Sequence, residues 1–148
     1  MGYSGTPLPK KLGLKDGQVV PFVGLPHGLG ALASVGAYIH TDLVEDWSEL
    51  GERYDYIHLF TKSAATIRAA TVALADKIKP DGMIWMSWPK QASKVATDVT
   101  GTLVREQALQ TRLVDVKICA LDDVWSGMKL VIRLKNRPQA GQKPGTKG

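Results

Sequence analysis

The feature that most constrains the fold is a change in hydrophobic period late in the chain. Before about residue 110, short apolar segments alternate with segments whose apolar side chains recur every three or four positions. After it, residues 116–120 and 128–135 alternate apolar and polar side chains, which is the period of a half-buried strand. Strands that alternate with helices predict a mostly parallel sheet, and the last two segments predict an antiparallel hairpin.

The individual segments can be placed from their composition. We expect strands at 18–24, 37–40, 54–60 and 83–88, and helices at 64–79 and 98–110. Residues 31–35 are small enough to begin a further helix, and residues 42–53 are interpreted as a helical connection. Pro21 predicts a bulge or a shortened first strand, because proline cannot donate to a sheet ladder.

The size and composition of the chain fit one globular domain. Its 148 residues include 44% hydrophobic side chains, and no apolar run approaches the roughly 20 residues that cross a bilayer, so no membrane association is expected. Cys119 is the only cysteine, which excludes an internal disulfide and a multi-cysteine metal site. We expect a cytoplasmic protein with a single domain at residues 1–137 and a disordered basic tail at 138–148.

The net charge of +5 comes from the end of the chain. After residue 132 there are five Lys or Arg side chains and no acidic one, so the preceding residues hold 14 basic and 14 acidic side chains. A basic tail commonly aids solubility, whereas a specific nucleic-acid reader also needs a basic face on its folded body. Nucleic acid is therefore not expected as the main partner.

Candidate ligand-binding residues follow the predicted strands, because open parallel sheets bind ligands beyond the carboxyl ends of their strands. The loops at three of these ends carry an imidazole, two cations, two hydroxyls and an aromatic ring. The candidates are Gly24, Pro26, His27, Gly28, Thr61, Lys62, Ser63, Trp88, Pro89 and Lys90. No catalytic residue is assigned, since no Ser/His/acid order, paired carboxylates or reactive cysteine stands out.

Each of these features also has a purely structural interpretation. Residues 24–30 read G-x-x-x-G-x-G, which suits either close backbone approach to a ligand or a plain tight loop. His27 is either an acid/base group or an exposed loop histidine. Trp88 and Lys90 form either a stacking plate with an anion clamp, or a tryptophan that closes the core. His58 lies inside a predicted strand, where a packed histidine is expected, and the spacing of the histidines does not predict a metal site.

Part of the chain resembles the class I S-adenosylmethionine-dependent methyltransferases. The segment K-P-D-G-M-I-W-M-S at 79–87 is similar to their K-P-G-G-x-L-x-x-S segment, and residues 54–59 are similar to the strand before it. With the following helix and hairpin, the likeness covers residues 54–135. It implies an α/β, Rossmann-like, mostly parallel sheet with a C-terminal antiparallel hairpin, and S-adenosylmethionine as a cofactor at the first loop.

The first loop departs from the pattern of that family. Its members carry an acidic residue in strand one and G-x-G-x-G after it, whereas residues 19–23 hold no acid and Pro26 interrupts the glycines. The chain is also shorter by one strand-helix unit before residue 54. From the residues themselves, no cofactor is evident.

The whole chain is also similar to a domain-of-unknown-function family of short bacterial proteins. The matching segments include G-Y-S-G-T-P-L at 2–8, W-P-K at 88–90 and W-S-G at 125–127. This resemblance implies a bacterial cytosolic protein and brings no activity with it.

These observations leave three functions open. The leading hypothesis is a non-catalytic Rossmann-like binding or regulatory domain, with a homodimer as its expected assembly, because the sheet is intact while the cofactor loop is incomplete. The alternative is an S-adenosylmethionine-dependent methyltransferase with an atypical cofactor loop. A weaker alternative is nucleic-acid binding aided by the basic tail.

Overall fold

The computed structural model describes residues 8–34, 40–51 and 53–133, and these form one six-stranded sheet with helices on both faces. The strands are β1 Val19–Val23, β2 His40–Val44, β3 Tyr54–Phe60, β4 Ile78–Pro89, β5 Leu113–Ala120 and β6 Trp125–Ile132. The α-helices are α1 Leu8–Leu12, α2 Ala64–Leu74 and α3 Gly101–Leu109. Three 3-10 helices lie at His27–Ser34, Trp47–Glu49 and Gln91–Ser93.

The strand order is β2-β1-β3-β4-β6-β5. The first four strands run parallel, and β6 runs antiparallel to both β4 and β5. The predicted fold class, a Rossmann-like mostly parallel sheet with a C-terminal antiparallel hairpin, is confirmed. Because β2 lies on one side of β1 and β3 lies on the other, the strand order reverses at β1.

One face of the sheet is covered by α2 and α3. Helix α2 buries Ile67, Ala70 and Leu74, which recur every three or four positions along one side of the helix. Helix α3 adds Val104 and Ala108 to the same core. None of the helices in the described ranges is long and apolar enough to cross a membrane.

The opposite face is covered by α1 and by the 3-10 helix His27–Ser34. Leu12 and Leu32 are buried there with Phe22 and Trp85 of the sheet. The indole Nε1 of Trp85 donates to the backbone oxygen of Leu12 at 2.8 Å. Since a buried indole N–H needs an acceptor, this bond fixes the end of α1 against the sheet.

The predicted boundaries of β2 and α2 are wrong. Strand β2 is His40–Val44 rather than 37–40, and residues 37–39 lie outside the described residues. The helical connection expected from residue 42 is a 3-10 helix at Trp47–Glu49 in the part that the structure describes. Helix α2 ends at Leu74 rather than at 79, and Ile78 already pairs with Tyr54 at the start of β4. Ile78 is buried in the strand, and a three- or four-residue apolar spacing does not distinguish that position from a further helical turn.

Strand β1 contains no bulge at Pro21, and it is shorter than the expected 18–24. The N–H of Val19 donates to the Asp55 carboxylate on the β3 side, and the N–H of Gly24 donates to Val44 on the β2 side. The backbone N–H groups of β1 therefore point alternately toward β3 and toward β2. The backbone nitrogen of Pro21 is on the β3 side, like that of Val19. The pairing of β1 with β3 begins only at Phe22, so no ladder donor is missing there.

The C-terminal hairpin is confirmed, although its turn is shorter than predicted. Trp125 to Gly127 lie in β6 rather than in the connection. Gly127 supplies neither a bulge nor a positive φ, and instead allows close packing: a Cβ there would lie 2.8 Å from Ser87 Oγ and 2.9 Å from Leu121 Cδ1. The predicted end of the domain at 137 and the tail at 138–148 lie outside the described residues.

Candidate functional site

The candidate site is the edge of the sheet where the parallel strands end. Strands β1, β3 and β4 end at this edge, and their register aligns Val23 with Leu59 and Phe60 with Ser87. The ten residues predicted from the sequence lie in the last two positions of β4 and in the loops that follow the three strands. We call this edge the strand-end rim, and it includes the point beside β1 at which ligands bind in open α/β sheets.

The first loop of the rim begins with a glycine that the backbone requires. Gly24 has φ +70°, and a Cβ on it would lie 2.9 Å from the carbonyl oxygen of Phe60. Gly24 therefore allows the ends of β1 and β3 to approach each other, which is a structural role. Gly28 differs, since a Cβ on it would meet no atom within 4 Å. His27 is exposed, and Pro26 accepts a hydrogen bond from Leu29 N through its carbonyl.

The second loop forms the start of α2. Ser63 caps the helix through its hydroxyl, which accepts from Thr66 N at 3.2 Å, and Thr61 Oγ1 accepts from Ser63 N at 3.1 Å. Asp98 also reaches this helix start, because its carboxylate accepts from Ala64 N at 2.6 Å. These hydroxyls and this carboxylate hold the helix end, while the Lys62 side chain is exposed.

Asp98 does not cap α3, the helix that follows it. The structure shows that Thr100 caps α3, with its hydroxyl accepting from Leu103 N. The backbone N–H of Asp98 and the hydroxyl of Thr97 both donate to the carbonyl of Lys62, so the segment before α3 is bound to the second loop.

Strand β4 ends with Trp88 and Pro89, and Lys90 begins the third loop. Trp88 is only 5% exposed and packs in the core against α3, where its Cζ2 lies 3.4 Å from the position of a Cβ on Gly101. This packing corresponds to the interpretation in which the tryptophan closes the core, and it leaves little of the ring for a ligand. Pro89 is buried as well, whereas Lys90 is half-buried at the rim.

The structure thus gathers all ten predicted residues at one edge but divides them by accessibility. Trp88 and Pro89 are buried, whereas the other eight residues are exposed or half-buried. Contact of any of these residues with a ligand stays a prediction.

Sequence reasoning missed Glu45 as a member of the rim. Glu45 directly follows β2, and its neighbour Val44 accepts a hydrogen bond from Gly24 N at 2.9 Å. The Glu45 side chain is exposed. Asp46 beside it is engaged, because the N–H and the hydroxyl of Ser48 donate to its carboxylate and lower its pKa. The available signal was the spacing of about 20 residues between a glycine loop and an acid at the next strand end.

His58 is a packed histidine, as expected. It is completely buried, and burial lowers its pKa to about 3, so the imidazole is neutral. Its Nδ1 is 3.0 Å from Tyr56 Oη, and its Nε2 is 2.7 Å from Ser87 Oγ. The ring is stacked on Phe60 at 4.1 Å between centroids. No group of three His, Cys, Asp or Glu side chains that would hold a metal ion occurs within the described ranges.

No protein-family model and no curated protein matches this sequence, so the resemblance to a domain-of-unknown-function family stays a prediction. Solved structures do match. A type 11 methyltransferase from Sulfolobus solfataricus, described as putative, covers 92% of this chain and 95% of its own length, with TM-score 0.61 and 12% identity. The fold is that of class I methyltransferases.

Two further structures support the same fold. Magnesium protoporphyrin IX methyltransferase from Synechocystis with bound S-adenosylhomocysteine has TM-score 0.61 and 14% identity, over 84% of this chain and 78% of that one. A TehB-like S-adenosylmethionine-dependent methyltransferase from Corynebacterium glutamicum has TM-score 0.59 and 12% identity, over 85% of both chains. The likeness reported for residues 54–135 therefore extends over most of the chain.

Proposed function

We propose that this protein is an S-adenosylmethionine-dependent methyltransferase that binds its cofactor at the strand-end rim. The observation that carries the proposal is the reversal of strand order at β1, with Gly24 and Glu45 side by side where β1 and β2 end. The similar solved structures favour this function over the non-catalytic binding domain that led the sequence-based hypotheses.

The residues of the rim fit the cofactor in two respects. Acidic side chains at the end of the second strand bind ribose hydroxyls in Rossmann-type sites, and Glu45 occupies that position. Its carboxylate is exposed. The space beside Gly28 is open, so the backbone of the first loop is accessible to a ligand.

The charge of the rim indicates what the methyl acceptor carries. S-adenosylmethionine, when bound, supplies an electrophilic methyl group. Lys62 and Lys90 follow β3 and β4, and the nearby carboxylate of Asp98 is used to hold the start of α2. We therefore propose an acceptor with a carboxylate or phosphate group, which these lysines bind and orient beside the cofactor.

Thermal unfolding with S-adenosylhomocysteine tests cofactor binding. Ligand at about 100 times its dissociation constant stabilises a protein by about 2.7 kcal/mol, which raises the unfolding temperature by several degrees. We expect Glu45→Gln to weaken binding about tenfold or more, because it removes a charged hydrogen-bond acceptor. Glu106→Gln on α3 is the matched control, since Glu106 is exposed and far from the rim in the chain.

Gly28→Val tests the same site by steric exclusion. The substitution fits the fold, because the position has no positive φ and open space around its Cβ. We expect an unchanged unfolding temperature without ligand and a lost ligand shift. Absence of a shift at millimolar S-adenosylhomocysteine, or a shift with NAD⁺ in its place, contradicts the proposal.

Two further expectations from the sequence are kept as proposals. We propose that the protein is cytoplasmic and that it forms a homodimer, and light scattering on the purified full chain measures the second directly.

A further inference from the structure

A second charged surface lies on the β5–β6 hairpin. Lys117 and Lys129 are direct partners in the antiparallel register, so both side chains leave the same face of the sheet. The ammonium group of Lys117 donates to the carbonyl of Lys11 at 3.0 Å, which places the end of α1 beside this pair. Lys15 follows in the exposed turn after α1. We call Lys11, Lys15, Lys117 and Lys129 the lysine face.

The charges of the lysine face act on one another. Burial first, and then the positive charges of Lys117 and Lys15, lower the pKa of Lys129 below its ordinary value. Within the described ranges, no carboxylate forms an ion pair with any of the four lysines. Asp16 adjoins Lys15 in the chain and offsets at most one of their charges, and Asp115 is paired with Arg105.

Such an arrangement is unfavourable for the folded protein alone. Like charges directly opposite each other on neighbouring strands destabilise a sheet. The half-buried position of Lys129 adds a cost of desolvation. A bound anion offsets the repulsion and compensates the buried charge by direct attraction, so the arrangement indicates a ligand that supplies negative charge.

The end of the sequence is basic as well. Strand β6 runs from Lys129 toward residues 134–148, which carry four basic side chains and no acidic one. The folded body is near neutral as a whole, so its four clustered lysines form a local basic face. A basic face on the body is the feature that a nucleic-acid binder requires besides a basic tail.

We propose that the lysine face binds the phosphate backbone of nucleic acid, independently of the methyltransferase site. Lysine ammonium groups bind phosphates as point charges, so the binding is independent of base sequence. Membrane-binding surfaces combine lysines with large apolar side chains that insert into lipid. The exposed Ile118 of β5 instead lies near Gly101 of α3, on the other face of the sheet.

Fluorescence anisotropy with a labelled 20-nucleotide single-stranded RNA of mixed sequence tests the proposal on the full chain. The double variant Lys117→Gln/Lys129→Gln removes two phosphate contacts. The slope of log affinity against log salt is expected to fall by about 1.4, at about 0.7 for each contact with a single strand. The affinity at 50 mM salt is expected to fall about tenfold or more.

The matched control is Arg68→Gln/Lys94→Gln, which removes the same charge from exposed side chains on α2 and in the loop before α3. We expect this control to keep the wild-type slope. The lysine-face variant should unfold at the same or a higher temperature, because repulsion is removed. If it fails to fold, Lys15→Gln in the exposed turn serves instead, with an expected slope change of about 0.7.

Three results overturn the proposal. The first is absence of RNA binding by the wild-type protein at 50 mM salt. The second is an equal loss of RNA affinity in the control variant, which would show that the effect depends on net charge and not on the lysine face. The third is binding to phosphatidylserine vesicles without binding to RNA, which would assign the surface to membranes. S-adenosylhomocysteine binding is measured separately, so failure of either proposal leaves the other intact.

Discussion

The buried histidine of β3 makes the stability of the fold depend on pH in a predictable way. His58 contacts Tyr56 and Ser87 through its two ring nitrogens, and burial lowers its pKa from 6.5 to about 3. In the unfolded chain the imidazole has its ordinary pKa. Below pH 6.5 the unfolded chain therefore binds a proton that the folded protein does not bind, and stability falls as the pH decreases toward 3.

The expected size of this effect follows from the two pKa values. Between pH 7.5 and pH 5, protonation of an unfolded histidine with pKa 6.5 is nearly completed, while His58 in the fold stays neutral. Linkage then removes about 2 kcal/mol from the free energy of unfolding. Above pH 7.5 the contribution is fully present and no longer changes.

Urea unfolding at pH 7.5 and pH 5, at constant ionic strength, measures this difference. His58→Gln removes the titrating group, and the loss of stability between the two pH values should be smaller by about 2 kcal/mol in this variant. Equal losses in both proteins, or an NMR titration in which the His58 signal changes between pH 7 and pH 5, would refute the reasoning.

Two further predictions concern packing and capping. Gly127→Ala should destabilise the fold by about 1–3 kcal/mol by overpacking, because its Cβ would lie 2.8 Å from Ser87 Oγ. Gly30→Ala is the control, because a Cβ at that position would meet no atom within 4 Å. Thermal unfolding of both variants checks this, and equal unfolding temperatures would contradict it. Asp98→Ala should lower the free energy of unfolding by about 1 kcal/mol, because the N–H of Ala64 loses its acceptor at the start of α2. Asp123→Ala is the control at an exposed position and should change the free energy of unfolding by less than about 0.5 kcal/mol. Urea unfolding of this second pair measures the difference, and equal costs would argue against the capping role.

The candidate site was predictable as a location but not as a set of accessible groups. The strand ends at residues 23, 60 and 89 follow from local patterns to within one residue, and the rule for parallel sheets brings their loops together. Accessibility depends on packing: Trp88 is covered by α3, and Thr61 and Ser63 hold the start of α2. Glu45 was missed because the predicted second strand ended at residue 40, which placed this acid inside a helical connection.

The sequence by itself determined the features that depend on neighbours in the chain. The period of apolar residues gave β3 and the final hairpin, and Ser63 marked the start of α2. These signals are local, because a strand or a helical face repeats over a few residues and a cap acts within one turn. The mostly parallel sheet followed from the alternation of such segments.

Only the tertiary structure decided which distant residues meet. The cross-strand pairing of Lys117 with Lys129, and the bond from Lys117 to Lys11 across 106 positions, depend on register and on where α1 packs. The spacing in the chain gives no sign of either, because a register shift of one residue places a side chain on the opposite face. A chain whose body is neutral by composition therefore carries a concentrated positive face, and that face exists only in the folded protein.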